Sequence, residues 1–290
     1  VAFGAHAWKV PVVTQPVLYA GYAALVAAAT LRRFREAGTL FAILGAGAAM
    51  FLVSLRCLDY YYREFVLAWA RDAAEAGADA MSIGVECTSW SGRFAPFWRS
   101  LIAEVRAVFP GLLTYSANWD EAENVIFWEA LDLIGVQAFY PLAHHDGATF
   151  EEYLEGARAA REPLARLAET LAMPVLFVEI GYTTRRDAAV EPWLWPDDMT
   201  DVAYSEEEQA RATEALVRTF ATEDWFAGFL VWRYYANLDD VSQEAIWGFS
   251  PHAKATEPML TDVFASDFAA DGETPRWLRP FEPEPLGRTA

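Results

Sequence analysis

The chain has 290 residues, and its 54% hydrophobic content is ample for a sizeable core and excludes a disordered protein. Its 41 acidic and 22 basic residues give a net charge of -19, which argues against nucleic acid or an anionic membrane as a partner and favours a neutral ligand. Two cysteines, Cys57 and Cys87, exclude a disulfide framework and leave one bridge at most. Aromatic residues make up 15% of the chain and include 12 Trp, whose flat apolar faces suit the C–H face of a pyranose ring as well as a protein core. The chain begins at Val1 with no ordered basic, apolar and small-residue leader, so it reads as a mature form or a fragment, with an extracellular or periplasmic location as the expectation.

Two apolar stretches, Val17 to Leu31 and Thr39 to Leu55, flank Arg32-Arg33-Phe34-Arg35-Glu36. Each is shorter than the roughly 20 residues of a membrane helix, so a membrane hairpin is the lesser reading. The other reading is a helix over Tyr22 to Glu36, stopped by Gly38, and a buried strand at Leu40 to Leu44. From Tyr61 to Ala76 helical periodicity runs up to Gly77, and the apolar strand Met81 to Val85 follows, closing on Glu86. Phe97 to Val108 is helical with Pro110-Gly111 as its stop, and Leu112 to Asn118 is strand-like. Phe127 to Leu131 is a short helix before the strand Leu133 to Tyr140, which has a polar tip. Phe150 to Leu171 is a long amphipathic helix leading into Pro174 to Val178, an apolar strand that closes on Glu179. A further helix, Ser205 to Thr219, opens with a Ser205 cap and Glu208 three residues on, and Gly228 to Tyr235 is the last strand.

Apolar strands alternating with helices indicate a parallel sheet covered on both faces. No glycine-rich phosphate loop follows any strand, which removes most of the weight from a nucleotide-binding sheet. Glu86, Asn118, Tyr140, Glu179 and Trp232 all lie at the carboxyl ends of different strands, and a closed (β/α)8 barrel gathers those ends around one mouth. The two glutamates are 93 residues apart, close to three strand-helix units of about 31 residues each. A carboxylate at the end of a buried strand costs desolvation free energy that packing does not return, and a pair of them suits glycosidic hydrolysis, which needs an acid on one side of the bond and a nucleophile or base on the other. His144-His145-Asp146 could suggest a metal, but adjacent loop histidines rarely share an ion, so no metal or cofactor is expected. Cys87 has no histidine placed near it for thiol catalysis. Asp239, Asp240, Gln243 and Glu244 read equally as sugar contacts or as a solvated turn.

The stretches Ile83-Gly84-Val85-Glu86, Tyr115-Ser116-Ala117-Asn118-Trp119, Ile134 to Leu142, Phe177 to Tyr182 and Phe249 to Lys254 together resemble glycoside hydrolase family 113 over roughly Tyr60 to Phe264. That family comprises retaining (β/α)8-barrel enzymes of clan A, typified by endo-β-1,4-mannanases. The resemblance implies that Glu86, ending the fourth strand, is the general acid/base and Glu179, ending the seventh, the nucleophile. It implies that Tyr140 hydrogen-bonds the nucleophile and that Asn118 and Trp119 contact the sugar whose bond breaks. Trp232, ending the eighth strand, would be the platform under that sugar, with Trp90, Trp193 and Trp195 as walls of flanking subsites. Glu86 should then be the more desolvated carboxyl or the closer to a negative neighbour, and an ionised Glu179 would be such a neighbour. The partner implied is an oligosaccharide or polysaccharide.

The chain reads as one domain over 1–290, with 1–59 fitting the family poorly and 265–290 a tail. Only 85 residues precede Glu86, too few for three complete units and the strand that follows, so the barrel is expected to be incomplete or altered at its first strand and helix. That departure leaves a non-catalytic carbohydrate-binding barrel and a membrane-anchored barrel as alternatives. Neither the sugar and linkage nor the oligomeric state is legible.

Overall fold

The computed structural model describes residues 59–195, 201–237 and 244–266. The apolar stretches between Val17 and Leu55, Cys57, Asp239, Asp240, Gln243 and the C-terminal tail lie outside the described residues. The chain divides into two compact units, Val1–Asp72 and Ala73–Ala290. The described part of the first, residues 59–72, is helical.

The second unit opens on the last turn of a helix, which ends as its sequence predicts. Gly77 takes a φ of 66°, and the N–H groups of Ala78 and Gly77 return to the carbonyls of Ala73 and Ala74 at 2.9 and 3.1 Å. That pattern satisfies two end carbonyls and relies on a residue without a Cβ in the left-handed region.

The elements that follow alternate, as expected, between strand and helix: β1 (Ala80–Val85), α1 (Thr88–Ser91), α2 (Ala95–Arg106), β2 (Leu112–Asn118), β3 (Ile134–Gln137), α3 (Phe150–Leu171), β4 (Val175–Ile180), α4 (Glu206–Ala221), β5 (Phe226–Val231) and α5 (Thr256–Ser266). Two 3-10 turns, Ala122–Asn124 and Trp128–Ala130, lie between β2 and β3, the second standing in for the short helix read from Phe127 to Leu131. All five strands pair in parallel and in chain order, β1-β2-β3-β4-β5. Among the described residues the sheet is open, with β1 and β5 at its edges.

Two aromatic clusters bond helices to strands. Trp98 of α2 stacks on Phe127 at 4.8 Å between centroids and meets Tyr115 of β2 edge-on at 5.4 Å. Phe177 of β4 meets Phe220 of α4 at 4.6 Å and Phe226 of β5 at 4.9 Å. All six rings are essentially sealed from solvent, and burying a side chain of this size contributes roughly 2–3 kcal/mol. Thr149 starts α3 through a reciprocal bond with Glu152, a capping box that the sequence carries as Thr-x-x-Glu. The Ser205 hydroxyl accepts from the Glu208 N–H at 3.2 Å at the start of α4, but the Glu208 carboxylate turns to Tyr153 and Arg211, so only half of a box forms there.

Candidate active site

Both glutamates reach the rim of the sheet through a break in strand register. β1 and β2 pair Ser82 with Thr114 and next Val85 with Ser116, so β1 carries one residue more than its partner just before Glu86. β3 and β4 pair Val136 with Phe177 and next Gln137 with Glu179, again with one residue more on the glutamate strand. An extra residue of this kind turns everything beyond it to the other face of the sheet. Phe177 faces the helices, since it packs on Phe220. In an unbroken strand Glu179, two residues later, would face the helices too. The bulge instead sets Glu179 beside Gln137 on the opposite face.

At the first glutamate the Ser82 hydroxyl donates to the Gly84 carbonyl at 2.8 Å, which fixes the bulged segment. The Glu86 N–H reaches the Ser116 carbonyl at 2.9 Å, and Glu86 itself holds a φ of 49°. A residue with a Cβ in that left-handed region costs roughly 1–2 kcal/mol, a cost commonly found at functional positions.

Burial raises the pKa of both carboxyls, and their neighbours then act differently. Glu86 stands at the solvent-exposed rim, yet the side chains around it desolvate the carboxyl, and the charges of Glu121 and Asp120 raise its pKa further. Glu179 is pushed up to about 7 by burial, pulled down by a hydrogen bond from Gln137 and raised by the charge of Glu86. Of the two alternatives expected for Glu86, greater desolvation is corrected, since β4 lies inside the sheet and buries Glu179 more deeply whereas β1 lies at its described edge, and a negative neighbour is found in Glu121 and Asp120. The hydrogen bond expected from Tyr140 to Glu179 is made by Gln137 instead. Tyr140 is 5% exposed, packs its ring on Trp119 and Phe177, and gives its backbone carbonyl to the Tyr182 hydroxyl at 2.8 Å.

Trp119 stacks on Trp193 with centroids 5.5 Å apart and planes 15° from parallel, while Tyr140 meets it edge-on at 5.9 Å. The three form an aromatic ledge over the ends of β2, β3 and β4. Asn118 is fixed beside it, its Oδ1 accepting from the Trp119 N–H at 2.9 Å and its own N–H donating to Glu121 at 3.1 Å. Trp232 follows β5, and its N–H bonds the Ile180 carbonyl at 2.7 Å. Gly181 is required there, since a Cβ on it would lie 2.5 Å from the Trp232 carbonyl oxygen. Trp195 and Trp232 share the guanidinium of Arg233, at 5.2 and 5.5 Å from their centroids. Trp90 sits in α1 with its ring edge-on to Phe94 and Phe97, bracing α1 against the start of α2.

Several polar groups of the expected sugar surface are already engaged by protein. The Glu244 carboxylate accepts from the Ser250 N–H at 2.6 Å and the Tyr235 hydroxyl at 3.0 Å, and lies 3.5 Å from Arg233. Lys254, in the Phe249 to Lys254 stretch, bonds the Gly248 carbonyl at 3.1 Å and the Thr184 hydroxyl at 3.3 Å. That stretch buttresses the loop after β4. His145 pairs with Glu152 of α3 at 3.1 Å, and among the described residues no three His, Cys, Asp or Glu side chains are grouped to hold a metal ion.

Three residues of the site escaped the sequence reading. Gln137 was legible only as a polar tip on an apolar strand. Arg233 follows Trp232 and reads as a surface charge, and Glu121 reads as one more acid in a polar loop.

Comparison with known proteins places the fold. A solved family 113 β-mannanase, AaManA of Alicyclobacillus acidocaldarius, superposes with a TM-score of 0.62 at 26% identity, covering 73% of this chain and 63% of that one. A family 113 β-1,4-mannanase superposes at 0.60 with 25% identity, covering 72% and 62%. A β-glucuronidase of Faecalibacterium prausnitzii, at 16% identity and a TM-score of 0.53 over 77% of this chain and 36% of that one, shares the fold alone. The chain thus spans less than two thirds of the mannanases' length, and the five parallel strands are part of a (β/α)8 barrel that is incomplete among the described residues. No curated protein sequence matches the chain. The model of Glycoside Hydrolase Family 113 matches residues 60–250, more than half of the sequence and both strand-end glutamates, and the chain belongs to that family.

Proposed function

We propose that the chain is a retaining β-glycosidase acting on a β-1,4-mannan-like polysaccharide, with Glu179 as nucleophile and Glu86 as general acid/base. The observation that carries this reading is the pair of desolvated carboxyls turned out by bulges at two strand ends, with negative charge beside Glu86 and a hydrogen-bond donor beside Glu179. In the first step a Glu179 oxygen attacks the anomeric carbon, the bond to the leaving sugar breaks, and the Glu86 proton passes to the departing oxygen. In the second, the Glu86 carboxylate takes a proton from water, the water oxygen bonds to the anomeric carbon, and Glu179 leaves as a carboxylate. Trp232 supplies an apolar platform for the ring under attack, and the Trp119–Trp193 stack supplies a wall for a neighbouring ring. The choice of mannan rests on the similarity to family 113 mannanases.

The test is a panel of soluble β-glycans scored for new reducing ends and for the anomeric configuration of the first product by NMR. Release from β-mannan with retained configuration is expected. An inverted product overturns the mechanism, and oligosaccharide binding by calorimetry without any release overturns the enzyme reading in favour of a carbohydrate-binding barrel.

A further inference from the structure

Glu121 is 1% exposed, and none of the ion pairs among the described residues includes it. A buried carboxylate without a cation is costly unless donors surround it. Here the Tyr115 hydroxyl donates to it at 2.7 Å, the Asn118 N–H at 3.1 Å and the Thr88 hydroxyl at 3.4 Å, and the Ser91 hydroxyl makes a short bond. These donors are not scattered. Thr88 and Ser91 lie in α1, the segment entered directly from Glu86, and Tyr115 and Asn118 lie in β2, the only strand paired with β1 among the described residues. Tyr115 also accepts from the Cys87 N–H at 2.6 Å, so a continuous chain of bonds runs from the residue after Glu86 through Tyr115 to Glu121.

We propose that Glu121 is the positioning residue of the acid/base carboxyl: through Tyr115, Thr88 and Ser91 it holds the turn that carries Glu86, through the Asn118 amide it holds the neighbouring strand end, and it sets a fixed negative charge beside the acid. The inference rests on the acid/base reading of Glu86 given above. A scaffold serving only to brace the turn would be satisfied by a neutral acceptor; a carboxylate adds charge where a proton must be retained. The titratable groups around Glu86 are Glu121 and Asp120 after β2, Tyr115 on β2, Cys87 on α1's entry and Glu179 on β4. Glu121 is the larger of the two charge contributions to the raised pKa of Glu86, after burial. Removing its charge lowers the pKa of Glu86 and so weakens the hold of the acid on its proton.

The experiment uses the full 290-residue chain carrying Glu121→Gln, with folding checked by near-ultraviolet circular dichroism. The Glu86 carboxyl carbon is titrated by NMR without substrate, its signal assigned by its loss in Glu86→Gln. In Glu121→Gln the Glu86 midpoint is expected to fall by roughly half to one pH unit, and kcat/KM on the best glycan to fall about fivefold across its plateau. An unchanged midpoint in the folded variant overturns the proposal. Should Glu121→Gln not fold, Tyr115→Phe cuts the chain of bonds while keeping the charge. The Cys87 amide hydrogen is then expected to exchange about tenfold faster, and an unchanged rate overturns the tie. A lowered midpoint in a chain that cleaves no glycan overturns the proposed function and leaves the role of Glu121 standing; turnover with an unchanged midpoint does the reverse.

Discussion

The surroundings of Glu86 and of Glu179 differ in what the neighbouring side chains do to each carboxyl. Each glutamate ends a parallel strand, each is turned by a bulge, and each has a pKa raised mainly by burial. Around Glu86 the remaining influences are two negative charges, Glu121 and Asp120; around Glu179 they are the amide of Gln137, which favours the ionised form, and then the charge of Glu86, which opposes it. Burial pushes Glu179 up to about 7 and the Gln137 amide offsets part of that rise, whereas Glu121 and Asp120 add to the rise at Glu86. In the proposed mechanism a division of labour between two identical side chains would come from what stands beside them, because the strands supply only the position.

The largest expected effect is Glu179→Gln, which removes the attacking oxygen's charge and lowers kcat by about 10⁴-fold or more in a reducing-end assay. The same variant reports on burial. The folded chain holds the Glu179 proton more tightly than an ordinary carboxyl of 4.5, so its stability contribution is complete below that value and is lost as pH rises through about 7. Glu179→Gln removes the loss, and its melting temperature should exceed the parent's at pH 8 while the two agree at pH 4. A parent whose stability is flat across this window would mean that Glu179 is not desolvated. Glu86→Ala comes next. It should slow cleavage about 10²- to 10⁴-fold on a sugar leaving group and much less on a phenol that leaves unaided. Equal losses on both substrates would deny Glu86 the role of acid.

Much of this difference was illegible in the sequence, for physical reasons. The strand ends at Glu86 and Glu179 were readable because a carboxylate closing an apolar run is unusual. Helix α3 was readable to the residue, because its apolar stripe persists through Pro163. The bulges were not readable, since a one-residue slip between partners is a property of two strands at once. Gln137 was therefore missed as the partner of Glu179: in unbroken register it would oppose Val178. Glu121 was missed because its burial depends on hydroxyls from Thr88, Ser91 and Tyr115, 33, 30 and 6 residues away in sequence.

Gln137→Leu sharpens the comparison from the Glu179 side. It deletes a donor to the carboxylate together with an Oε1 that has no hydrogen-bond partner, at a site 4% exposed, so the fold should tolerate the change. Losing one such hydrogen bond, worth about 1–1.5 kcal/mol, raises the Glu179 pKa above about 7 by roughly one unit. Below pH 7 the ionised fraction then falls about tenfold and kcat/KM with it. A variant with an unchanged carboxyl titration by NMR would show that the Gln137 amide does not govern Glu179.

The smallest effect is expected from a control that touches neither neighbourhood. Ala172 ends α3 with a φ of 50°, where glycine carries no Cβ penalty, so Ala172→Gly should stabilise the chain by about 1 kcal/mol and raise its melting temperature by a few degrees. Ala172 lies three residues before β4, at the end opposite to Glu179. If the pKa of Glu179 is set by Gln137 and local burial, the more stable variant keeps the parent's pH profile. A profile that moves with Ala172→Gly would instead tie the carboxyl to the rigidity of the whole strand, and the contrast between the two glutamates would no longer be local to the rim.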